Sequence, residues 1–159
     1  MKFLVSPTKE SLARARPPVR LFLFFTALLL VALGASRAAS GELTPAGVFE
    51  HYLGTGDVSE RMPLTGLLEE LHTGAFLYGF LVLMLGSLLV VSPVRDVARR
   101  VLTYGGALAC VLDLASPFAV MRWSVAWVRV GSFVLAFGAL LAMVVVLSRE
   151  FARPGEGAE

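Results

Sequence analysis

Asp113 and Arg129 sit least comfortably with their neighbours, because each lies inside a long apolar run. An ionised side chain at the centre of a bilayer costs on the order of 3 kcal/mol on insertion scales, so an opposite charge on a neighbouring helix is the natural compensation. A helix ending near residue 121 and another returning from near residue 124 carry both side chains to similar depth. At about 1.5 Å per residue, each lies roughly 8 to 12 Å inside its own helix end. The spacing therefore predicts an Asp113–Arg129 ion pair between two antiparallel helices. Such a pair can fix helix register, or it can relay a proton or an ion, as a small transporter built on Asp113 would require.

His72 enters another apolar run from its polar end, where an imidazole could ligate haem b, hold a metal or help bind a quinone head group. An interfacial polar residue with no ligand fits the same position. Haem with two axial nitrogens needs a second histidine at matching depth, and the only other one, His51, lies in a polar connecting segment. A homodimer that brings two copies of His72 together would supply the pair. The single cysteine, Cys110, allows neither an intramolecular disulfide nor a Cys-based metal site within one chain. No Ser-His-Asp set, zinc-ligand cluster, glycine-rich phosphate loop or pair of catalytic carboxylates can be assembled. Enzyme activity is therefore unsupported, no metal site and no cofactor are expected, and haem b at His72 is the one cofactor kept as an alternative.

The elements that position these residues are membrane-spanning helices. With 57% hydrophobic and 16% charged residues in 159, the chain is far more apolar than soluble domains are. A spanning helix needs about 20 predominantly apolar residues to cross roughly 30 Å of hydrocarbon. Four windows approach this, at about residues 21–39, 71–91, 101–121 and 124–148, which defines an all-α fold, a four-transmembrane-helix bundle. The formal charge of +2 is too small to suggest nucleic acid, and the basic residues flank the apolar windows instead of forming a patch.

Those flanking charges set the topology. The N-terminal arm, residues 1–20, carries Lys2, Lys9, Arg14, Arg16 and Arg20. The link between the second and third windows carries Arg95, Arg99 and Arg100 against Asp96, and the tail, residues 149–159, carries Arg149 and Arg153. The outer segment, residues 40–70, is acidic instead, with Glu42, Glu50, Asp57, Glu60, Glu69 and Glu70 against Arg37 and Arg61. Both termini are thus expected in the cytoplasm of a bacterial-type cell, with residues 40–70 outside the inner membrane.

Several local signals refine this outline. The first window, with its basic arm and the small residues around Arg37, also fits a cleavable signal peptide, but the long arm and Pro17-Pro18 favour a retained anchor. In the outer segment Thr44 and Pro45 start a short helix and Gly54 ends it, with Val48, Phe49, Tyr52 and Leu53 on one face. This is a lid lying on the membrane or on the bundle. The stretch from Thr65 runs on into the second span, and Pro154–Glu159 is expected to be disordered. Gly79 with Gly86, and Gly131 with Gly138, are expected to line packing faces, because small residues let backbones approach in lipid. Trp123 and Trp127 mark a head-group layer.

Four features together resemble an uncharacterised group of bacterial four-helix inner-membrane proteins, some with a c-type haem insert in the outer loop. They are Leu43-Thr44-Pro45, His72 with Phe76, Gly79 and Gly86, Leu112-Asp113 followed by Ser116, and Ala126-Trp127. The group often has a second histidine two positions after the first, where this chain has Gly74, and this chain has no Cys-x-x-Cys-His. The resemblance implies a four-helix membrane fold and a respiratory setting, and it carries no activity. The sequence is read as a structural or accessory subunit of a membrane assembly, with other membrane subunits or a homodimer as partners. The alternatives are a haem- or quinone-associated redox subunit using His72 and a small transporter using Asp113.

Overall fold

The computed structural model describes residues 9–54 and 61–152, with side chains from Arg16 onward. Lys2, Asp57, Glu60, Arg153 and the end of the tail lie outside the described residues. Five α-helices make up the described chain: α1 (Lys9–Ala39), α2 (Pro45–Leu53), α3 (Leu64–Val91), α4 (Asp96–Trp123) and α5 (Ala126–Ala152). Four of them, all but α2, are long and apolar enough to cross a membrane. The helices outrun the apolar windows: α1 begins inside the basic arm, α3 starts at Leu64, α4 starts at Asp96 and α5 continues to Ala152. Hydropathy registers only the part of a helix in hydrocarbon, whereas backbone hydrogen bonding continues into the interfacial layer.

α5 is the hub, packed against each of the other four helices. Leu140, Met143 and Leu147 on α5 and Leu81, Leu85 and Leu89 on α3 are buried at i, i+3 and i+4 spacing. Leu23 and Leu30 bring α1 onto the same core. Close approach comes from Gly106, where a Cβ would sit 3.4 Å from Met143 Cε, and from Gly86, where it would sit 3.3 Å from Thr103 Cγ2. Gly79, Gly131 and Gly138 would meet nothing within 4 Å and so do not line packing faces; seven-residue spacing places a pair on one side of a helix without saying which side is covered.

The outward surface is apolar. Phe25 is 59% exposed, Phe76 76%, Leu83 67% and Val101 65%, a density of bare hydrophobic groups that water does not tolerate and hydrocarbon does. At one end of the bundle Arg20 Nη2 donates to the Phe151 carbonyl at 2.9 Å, joining α1 to the C-terminus of α5. We call this the arm end. The opposite end carries α2 and is the lid end.

The lid follows its cap signals. Thr44 Oγ1 accepts from the Gly47 amide at 3.1 Å, Pro45 occupies the first turn, and Gly54, with φ of 73°, ends the helix. The turn before it needs glycine twice. Gly41 has φ of 75°, and a Cβ at Gly47 would lie 2.2 Å from the Gly41 carbonyl oxygen. Val48 and Tyr52 are fully buried against Leu67, Val120 and Ala126, so the lid sits on the bundle, while Phe49 remains 37% exposed.

Candidate functional site

α4 dips polar at Asp113, and Pro117 explains how that residue is held. Proline has no amide hydrogen, so the helical bond to the carbonyl four residues earlier, that of Asp113, cannot form. In hydrocarbon a freed carbonyl must find another donor. Arg129 Nη1 supplies one at 2.9 Å and Ser116 Oγ a second at 2.7 Å. The same Nη1 reaches Asp113 Oδ1 at 3.1 Å, so Arg129 grips both backbone and side chain of one residue. Tyr78 Oη donates to Asp113 Oδ2 at 2.8 Å, and Ser132 Oγ lies 3.2 Å from Oδ1. Asp113 and Arg129 are 1% and 3% exposed.

The pair is the inner end of a larger network. Arg129 Nη2 donates to Glu70 Oε1 at 2.6 Å and lies 3.7 Å from Glu42 Oε2. Arg37, at the end of α1, is bonded to Glu42 and donates to Glu70 Oε1 at 3.1 Å. Tyr52, on the lid, donates to the Glu70 carboxylate at 2.9 Å, and the Arg129 guanidinium lies over its ring, 5.7 Å from the centroid. Ser40 donates to Glu42 Oε1 at 2.9 Å. Each of the five helices thus contributes a side chain. Three carboxylates outnumber two guanidiniums, and hydroxyl donors make up the difference. Burial pushes the Tyr52 phenol above the usual tyrosine range; the Arg129 charge pulls it back, while Glu70 and Glu42 push further up.

A small cleft of about 50 Å³ lies against this network, between Leu33 and Arg37 on one side and Glu70, Gly74 and Tyr78 on the other. That is room for a few waters or a small ion, not for an organic ligand. Among the described residues, the only buried side-chain polar atom without a partner is Thr103 Oγ1, which lies outside the network.

His72 is not part of the network. Its side chain is exposed on α3, and His51 stands on the lid with its ring edge-on to Tyr52, 4.7 Å between centroids. Among the described residues no group of three or more His, Cys, Asp or Glu side chains is placed to hold a metal. Sequence reasoning singled out Asp113 and Arg129 and missed Glu70, Glu42, Arg37, Tyr52 and Tyr78 as their companions. Two signals could have found part of the set. Pro117 stands four residues after Asp113, and Glu70 shares its helical phase with Leu67, Gly74, Tyr78 and Leu81, where Glu69 does not.

Four spanning helices, a docked lid and a buried ionic network define a polytopic helical membrane protein. A family model described as a transmembrane helical domain matches residues 42–157, and the chain belongs to that family. The match takes in the lid and the last three spans and begins after α1. No curated protein and no solved structure matches the chain.

Proposed function

We propose that the chain is a non-catalytic accessory or structural component of a bacterial inner-membrane assembly, with both termini in the cytoplasm and the lid end facing outward. The observation that carries this reading is the saturation of the network. Both Asp113 oxygens, its carbonyl and the Glu70 carboxylate are already engaged by donors from neighbouring helices. Charges so fully occupied with one another hold helices and lid in register. The bonds from Arg37 to Glu42 and Glu70 favour a first helix retained as an anchor. Mild-detergent purification of the tagged full chain from its native membrane tests the proposal: a stoichiometric membrane partner is expected, and a monomer without partners argues against it.

A second reading, proton or cation passage at Asp113, is favoured by the cleft that Asp113 and Glu70 both line. Liposomes carrying the purified protein and a trapped pH-sensitive dye distinguish the two. Proton flux abolished by Asp113→Asn would support passage, and wild-type flux no greater than that of empty liposomes would support the accessory role. The redox alternative would need haem b or a quinone at His72, whose exposed position on α3 leaves a second axial ligand to a partner copy. A Soret band in the purified protein would bring it back.

A further inference from the structure

A second hollow, of about 750 Å³, opens sideways between the lid-end halves of α3 and α4. Its volume falls in the range of about 300–1,000 Å³ typical of ligand sites, and its walls are apolar: Leu64, Leu67, Leu112, Ala115, Phe118 and Ala119. Leu64, Leu112 and Phe118 are 63%, 49% and 41% exposed, so the groove is continuous with the hydrocarbon-facing surface. Its rim is different. Arg61, Arg122 and Trp123 stand there, level with the end of α4. Arg61 Nη2 donates to the Met121 carbonyl at 3.1 Å, which holds its guanidinium beside the residue preceding Arg122.

Both arginines are exposed, and among the described residues neither is paired with a carboxylate, whereas Arg37, Arg99 and Arg129 all are. Two guanidiniums at head-group depth, above an apolar trough and without a carboxylate partner among the described residues, complement a phosphate joined to an acyl chain. A peptide segment would bring no phosphate to them. We propose that this groove holds one anionic phospholipid, its phosphate between Arg61 and Arg122 and an acyl chain along Leu64, Leu112 and Phe118.

The test uses the full chain in mild detergent, with native mass spectrometry and thermal unfolding in the presence of dioleoylphosphatidylglycerol or dioleoylphosphatidylcholine. One phosphatidylglycerol per chain is expected to be retained and to raise the melting temperature more than phosphatidylcholine does. The double change Arg61→Gln with Arg122→Gln is expected to weaken phosphatidylglycerol binding about tenfold while leaving the lipid-free melting temperature unchanged. Ala119→Trp, which fills the trough and keeps both arginines, is expected to lose the lipid as well. Equal binding of the two lipids overturns the proposal, as does unchanged affinity in the double variant. So does an equal shift from inorganic phosphate alone, or a homodimer in which a second copy covers the groove.

Discussion

Arg129 serves Asp113, Glu70 and, at longer range, Glu42, and this sharing decides what its replacement does. Arg129→Gln leaves the buried Asp113 carboxylate without its cation and Glu70 with Arg37 alone, a change expected to cost about 3 to 5 kcal/mol. Thermal unfolding in detergent should register it as a large drop in midpoint. Adding Asp113→Asn restores only part of the loss, because Glu70 keeps only one of its two arginines, Arg37; adding Glu70→Gln as well restores more. Recovery by the first pair alone would mean that Arg37 and Tyr52 hold Glu70 without help from Arg129. Tyr52 gives a pH signature. Burial keeps its phenol protonated in the folded state beyond the pH at which the unfolded chain ionises, near 10.0, so stability falls as pH rises past 10.0. Melting curves across that range should show the decline in wild type and a shallower one in Tyr52→Phe. Asp113 and Arg129 were legible in the sequence because charge in an apolar run is conspicuous. Glu42, Glu70 and Arg37 were not, because charges at helix ends look the same whether they are solvated or turned inward.

At the scale of elements, the lid depends on its entry turn. A methyl group at Gly47 would collide with the Gly41 backbone, which cannot move aside as a side-chain tip would. Gly47→Ala is expected to destabilise lid docking by on the order of 1 to 3 kcal/mol, the range for forced overpacking. Hydrogen exchange at the α2 amides checks this: faster exchange in α2 with α3 to α5 unchanged is the expected pattern, and uniform protection would argue against the collision. The lid was readable from Thr44, Pro45 and Gly54 because capping chemistry is local. Its landing place was not, because burial of Val48 and Tyr52 on Leu67, Val120 and Ala126 is set by partners far along the chain. Of the paired glycines Gly86 does meet a neighbour while Gly79, Gly131 and Gly138 do not, since spacing reports phase and says nothing of neighbours.

For the whole molecule, four spans were legible because hydrocarbon thickness sets a length that composition must meet, and the helix ends were less so because the interface tolerates polar residues. Reporter fusions at Glu159 and in the outer segment check the proposed topology: cytoplasmic signal from the former and periplasmic from the latter are expected, and the reverse would invert the molecule.

Arg129 is on α5, which is synthesised after Glu42, Glu70 and Asp113. Until α5 enters the bilayer, three acids wait with only Arg37 to answer them. Insertion of α5 is thus the event that makes the earlier parts of the chain electrically acceptable to the membrane. A fragment ending at Ser124 is expected to be cleared faster than the intact chain, as pulse-chase labelling would reveal. The position of one arginine in the order of translation thereby marks a chain that carries α5 from one interrupted before it.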